Sequence, residues 1–222
     1  MGILNITPDS FSDGGDFFNI ENALLQTQKL VQSGVDILDI GAQSTRPGAD
    51  IIGEKEEIKR LLPTLIEIRK NFPNLIISID TFNAEVAYKA LKNGANWIND
   101  VTGGKNDKSI LDVVAEFDCP YVITHSKGNS KTMNKLSFYN NLMEEIINSL
   151  VELSESAIDK KVRKDKIIWD PGLGFAKNKD HNIFILKNLD RLKRFEFPLL
   201  IGASRKRFIG EILNEDNPKN RD

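Results

Sequence analysis

Residues 75–101 read LIISIDTFNAEVAYKALKNGANWINDV, and their pattern decides the fold. Leu75–Ile79 and Trp97–Val101 are short apolar runs, of a length that suits strands buried on both faces of a parallel sheet. Between them, Ala84 to Asn93 has helical spacing and stops at Gly94. Outward from this unit the same alternation recurs. Further runs are Gly2–Ile6 (GILNI), Val35–Ile40 (VDILDI), Tyr121–Thr124 (YVIT), Lys166–Trp169 (KIIW) and Pro198–Ile201 (PLLI). Amphipathic segments fall between them. One runs from Ala23 to Val31 and ends at Gly34. A second, Glu54 to Lys70, sets Ile58, Leu61, Leu62, Leu65 and Ile68 on one side. The longest spans Tyr139 to Lys161. Seven such units predict an α/β architecture, either a (β/α) barrel or a doubly wound sheet.

The composition excludes several function classes. The 222 residues carry 30 Lys and Arg against 32 Asp and Glu, a net charge of -2. That balance argues against broad electrostatic binding to nucleic acid or to an anionic membrane. Cys119 is the single cysteine, so an internal disulfide or a zinc cluster of cysteines is excluded. No apolar stretch approaches the roughly 20 residues of a membrane span. The opening MGILNITPDS lacks a basic start and a cleavage site. A cytoplasmic protein is the expectation.

The chemistry sits at the carboxyl ends of the apolar runs. Asn5 and Thr7, Asp39, Asp80, Asn99 and Asp100, His125, Asp170, and Ser204-Arg205-Lys206 stand at or just past those ends. Any one of these could cap the next helix. In a (β/α) barrel all such ends share one face, where active sites form. Two loops, Asn5–Gly15 and Gly41–Ala49, combine hydroxyls, glycines and Arg46, a composition suited to covering an anionic ligand. In Asp170–Ala176 (DPGLGFA), Gly172 and Gly174 lack the spacing of a dinucleotide fingerprint. Carboxylates accept paired N–H donors, so Asp80 and Asp170 with Asn99 suit a heterocycle rich in N–H groups. A metal pair on the two aspartates is the competing reading, weakened by the absence of a histidine cluster. His181 reads as a surface residue; for His125, packing and ligand contact both remain open. Lys206 is either a site cation or an exposed helix lysine.

At these motifs the chain resembles the dihydropteroate synthase family of pterin-binding enzymes. MGILNITPDSFSDGG and DIGAQSTRPGA resemble that family's two loop motifs. ISIDT, WINDVTGG, DPGLGFAKN and IGASRKRFIG match further motifs in the same order. The resemblance spans essentially the whole chain. It implies a TIM-type (β/α) barrel with seven of eight strand–helix units present. It also implies one pterin-binding domain over residues 1–222, truncated at its C-terminus and shortened ahead of the first strand. Leu4, Ile6, Leu199 and Ile201 would then face a gap, and turnover would be weak.

The implied reaction joins 6-hydroxymethyl-7,8-dihydropterin diphosphate to para-aminobenzoate, giving 7,8-dihydropteroate and diphosphate. By resemblance, Asp80, Asn99, Asp170 and Lys206 would hold the pterin. Asn5, Thr45 and Arg46 would approach the diphosphate, with Asn5 a ligand to Mg²⁺. Phe11, Pro47, Phe175 and Ser204 would shape the aminobenzoate site. Asn5, Arg46 and Lys206 would take part in catalysis. The resemblance further implies small-molecule substrates and a homodimer. Thr124 and Ser126 stand where methionines are often found beside the pterin, a change in pocket lining. Two other readings use the same residues: a methyltetrahydrofolate-dependent methyltransferase, and a truncated pterin-binding domain without turnover.

Overall fold

In a computed structural model of the chain, the structure describes residues 1–7, 16–43, 52–128 and 131–221. The β-branched runs form six strands: β1 (Gly2–Asn5), β2 (Ile37–Gly41), β3 (Ile76–Asp80), β4 (Trp97–Asp100), β5 (Tyr121–Thr124) and β6 (Ile167–Asp170). They pair in parallel and in sequence order. The seventh run makes one parallel bridge, Trp169 with Leu199, rather than a full strand. Its two ladder bonds are Trp169 N–H to Pro198 C=O and Leu200 N–H to Trp169 C=O, each 2.9 Å. Pro198 at the head of the run has no N–H to extend the ladder. Residues of β1 and of Pro198–Ile201 line one cavity, so the sheet curls around it in the α/β barrel manner.

Side chains alternate along each strand, and the two sets differ sharply. Leu4, Leu38, Ile40, Ile77, Ile79, Ile98, Tyr121, Ile123, Ile167 and Trp169 are buried in the main hydrophobic core. The intervening set, including Ile3, Asp39, Asn99, Ile168 and Asp170, lines the cavity. The expectation of strands buried on both faces holds throughout β5 and β6 and fails at points on β1 and β3, where Ile3 is 57% exposed and Ile76 is 38% exposed. The expected gap is corrected for two side chains, because Leu4 and Ile6 are buried in the core, but among the described residues no ladder joins β1 to the run at 198–201.

The helices are α1 (Asp16–Gln32), α2 (Glu54–Asn71), α3 (Ala84–Lys92), α4 (Ser109–Phe117), α5 (Leu142–Asp159), α6 (Lys179–Lys187), α7 (Leu189–Lys193) and α8 (Arg207–Leu213). In α2 the buried stripe is Leu61, Leu65 and Ile68, with Thr64 and Glu57 beside it. Glu57 is a charged residue in an apolar stripe because its carboxylate accepts from Asn83 Nδ2 at 2.6 Å, at the start of α3. Arg69 near the end of α2 ties the opposite end of the sheet together. Its guanidinium donates to the carbonyls of Gly94, Phe72, Pro73 and Leu75 and to Asn96 Oδ1. α5 starts at Leu142, three residues after Tyr139, where the Asn141 side chain accepts from Glu144 N–H. Among the described residues, no helix is long and apolar enough to cross a membrane.

Candidate active site

The cavity at the centre of the sheet measures about 860 Å³. Its wall takes Asn5 from the end of β1, Asp39 from β2, Asp80 from β3, Asn99 from β4 and Asp170 from β6. Phe175, Ser204 and Lys206 come from the loops beyond. Of the expected site residues, Asn5, Asp80, Asn99, Asp170, Phe175, Ser204 and Lys206 are thus brought together. Phe11, Thr45, Arg46 and Pro47 lie outside the described residues.

Register places these groups in tiers. Asn5 pairs with Gly41, Gly41 with Asp80, and Asp80 with Asn99 across successive strands. Gly41 leaves room here for the two polar side chains that flank it. A Cβ at that position would stand 3.3 Å from Asp80 Oδ2 and 3.6 Å from Asn5 Oδ1. Asp39, one tier deeper, accepts from Asn99 Nδ2 at 3.1 Å. That bond turns the Asn99 amide so that its carbonyl points away from Asp39. Among the described residues, Asp39 Oδ1, Ser78 Oγ and Thr124 Oγ1 are buried without a hydrogen-bond partner, with the Ser78 hydroxyl directly opposite Asp39 on β3, where it counters the rise of the Asp39 carboxyl. Asp170 is held by the Gly172 amide at 2.7 Å, a turn that caps its strand.

Electrostatics follows from enclosure. Burial raises the Asp80 carboxyl well above its ordinary range, and the neighbouring Asp39, Glu57 and Asp100 carboxylates push it further. Burial likewise raises Asp39 and Asp170, while Lys206 and Lys177 pull Asp170 back. Lys206 is lowered by burial and held up by Asp170 and Asp80. Its ammonium lies 4.6 Å from the centre of the Phe175 ring, a cation–π distance. Lys206 is therefore a site cation rather than an exposed helix lysine.

Two histidine expectations resolve differently. His125 is 2% exposed and takes the packing role, with its Nδ1 2.9 Å from Lys177 Nζ. Burial and the Lys177 charge lower its imidazole to about 2, so it stays neutral. His181 sits in the first turn of α6, where its side chain and that of Asn178 form a reciprocal cap. It is half-buried, edge-on to Tyr139 at 5.2 Å, rather than a free surface residue.

Sequence reasoning assigned no role in the site to Asp39, Glu57 or Lys177. Asp39 was visible as the second acid of VDILDI. Lys177 was visible only as the residue after DPGLGFA, and burial lowers its ammonium to about 7. No group of three or more His, Cys, Asp or Glu side chains able to cage a metal occurs among the described residues. The metal pair on Asp80 and Asp170 therefore gains no third ligand from them.

Comparison with known proteins agrees with this geometry. The family model for pterin binding enzymes matches residues 1–222. A dihydropteroate synthase of Synechocystis sp. is 46% identical over 221 residues, covering 100% of this chain and 76% of the relative. A Yersinia pestis dihydropteroate synthase, solved with a sulfonamide drug, superposes with a TM-score of 0.92 at 38% identity. It covers 100% of this chain and 79% of that one. A Xanthomonas albilineans dihydropteroate synthase with 4-aminobenzoic acid gives 0.92 and 38%, covering 100% and 78%.

Proposed function

The chain belongs to the pterin-binding enzyme family and is a transferase of folate synthesis of the dihydropteroate synthase type, and we propose how its cavity does that work. The pterin's N–H edge lies against Asp80 and Asp170, with Asn99 presenting its carbonyl between them. Charge-assisted bonds of this kind are the strong ones in a dry cavity. Lys206 supplies a cation on this wall and faces the ring's carbonyl oxygen. The Phe175 ring beside it, with Ser204, borders the aminobenzoate.

The methylene C–O bond breaks with its electron pair leaving on diphosphate. The pterin ring shares the positive charge left on the methylene, and the nearby carboxylates favour that charge. The aniline nitrogen then attacks the methylene, forming the C–N bond, and passes its proton to water. No protein nucleophile is needed.

Asn5 offers a hard carbonyl oxygen at the cavity mouth beside Asp80, with no cage of carboxylates around it among the described residues. That donor set suits Mg²⁺, which keeps waters and shares phosphate oxygens. When bound, Mg²⁺ would neutralise charge on the departing diphosphate. Thr45 and Arg46 belong to the same diphosphate end, and Phe11 and Pro47 to the aminobenzoate side. The remaining parts of the proposal are a single domain, a cytoplasmic location and a homodimer.

The observation that supports this reading best is the acceptor-rich wall of Asp39, Asp80, Asn99 and Asp170 beside Lys206. A coupled assay for diphosphate release tests it. Release that requires both substrates and Mg²⁺ is the expected result. Pterin binding without release would leave only a binding domain. Asn5→Ala and Arg46→Ala should each weaken the diphosphate ester more than the bare pterin alcohol, as measured by calorimetry.

A further inference from the structure

Lys177 is 7% exposed, and its amino group lies in the protein interior. Its ammonium faces four acceptors: Gly172 O at 3.0 Å, Phe175 O at 3.0 Å, His125 Nδ1 at 2.9 Å and His125 O at 3.3 Å. Neutral His125 accepts through Nδ1, so the three N–H donors are fully used. We infer that Lys177 is a positioning residue for the aminobenzoate side of the cavity, pinning both ends of the Gly172–Phe175 turn and so fixing where the Phe175 ring stands against Lys206. This rests on the synthase reading of the cavity, because it gives Phe175 a substrate to border.

The turn needs such a pin. Phe175 N–H closes it on Gly172 O at 3.1 Å. Gly172, Gly174 and Ala176 all have left-handed backbone, at φ 69, 81 and 50. For Ala176 that conformation is strained and persists only where neighbours impose it. Gly172 is pressed so close to the end of β5 that a Cβ there would stand 2.0 Å from His125 O. The turn carries Phe175, whose ring meets Lys206, and a Cβ on Gly174 would come within 3.1 Å of Lys206 Cδ. Lys177 thus holds the Phe175 side of the cavity through backbone carbonyls, and acts on Asp170 only through its charge. Asp80 and Asn99, on β3 and β4, have no hydrogen bond to it. Asp170 keeps its bond from Gly172 N–H.

Steady-state kinetics with each substrate varied in turn tests the inference. Lys177→Met should raise the KM for para-aminobenzoate about tenfold or more, while the KM for the pterin diphosphate moves less than about threefold. His125→Ala removes one acceptor and should shift the aminobenzoate KM the same way, by less. His125→Asn keeps an acceptor and should restore it. In a folded Lys177→Met chain, unchanged constants or equal rises for both substrates would overturn the inference. Should that variant not fold, identical aminobenzoate KM values for His125→Ala and His125→Asn would overturn it. No turnover in the unsubstituted chain would sink the synthase reading and this inference together. Normal turnover with flat KM values would sink the inference alone.

Discussion

Asn99 and Asp100 are neighbours in β4, and they serve opposite faces of the same sheet. Asp100 is fully buried on the helix side. Its carboxylate accepts from Thr102 N–H at 2.7 Å, Thr102 Oγ1 at 2.8 Å, Gly104 N–H at 2.7 Å and Tyr121 OH at 2.7 Å. All of that capacity is spent within the protein, shaping the loop after β4. Asn99 faces the cavity and commits its amide N–H to Asp39, whose second oxygen has no partner among the described residues. The contrast teaches how to tell two buried polar residues apart. A structural one is saturated by its own chain, whereas a binding one sits in a cluster with acceptor capacity left over.

The comparison can be broken first on the helix face. Trp169 is fully buried, stacked on Phe197 at 4.6 Å and bonded through its indole N–H to Ser154. Trp169→Ala should cost about 3–5 kcal/mol of stability in guanidinium unfolding. A loss below about 1 kcal/mol would mean that this face does not carry the fold. On the cavity face, Asp170→Ala should weaken pterin binding by about 1.5–3 kcal/mol for each charge-assisted bond lost. Calorimetry finding unchanged affinity would remove Asp170 as the anchor.

Two subtler changes sharpen the contrast. Asp100→Asn should destabilise the chain by about 1–2 kcal/mol, because an amide accepts fewer of the four bonds. Pterin affinity measured below the melt should stay close to that of the unsubstituted chain; a parallel loss would show that the two faces are not separate. Asp39→Asn should do the reverse and raise stability at neutral pH by roughly 0.5–1 kcal/mol. The sign comes from burial, which raises the folded carboxyl above its unfolded value. Such a group contributes stability that is complete below the ordinary aspartate range and lost as pH rises through the folded value. The advantage of asparagine should therefore shrink as pH falls through the carboxylate range. Melts across that range showing a constant or growing advantage would contradict it.

Much of this was legible in the residues. The six strands and the acids at their ends follow from apolar runs that stop at a polar group, as in LIISID and KIIWD. The seventh run read as a strand because PLLI is apolar, but pairing depends on neighbours that composition does not display. α4 is masked in the sequence by the polar segment ahead of it, where Asp107 accepts from Ala84 N–H at 2.9 Å, a contact across 23 residues. Asp39 was counted among strand ends although it lies inside β2, where only alternation tells which face it takes. The role of Lys177 cannot be read from its motif, because its acceptors are backbone carbonyls and a histidine 52 residues earlier. Such a partnership leaves no spacing to read.

The wall that gathers Asp39, Asp80 and Asp170 around a cavity with Lys206 at its side also imposes a direction of entry. In the proposed pose, a molecule with an N–H-rich ring at one end and phosphates at the other would set the ring against these acceptors and keep the phosphates away from them. Ring-first binding would then be favoured over tail-first binding.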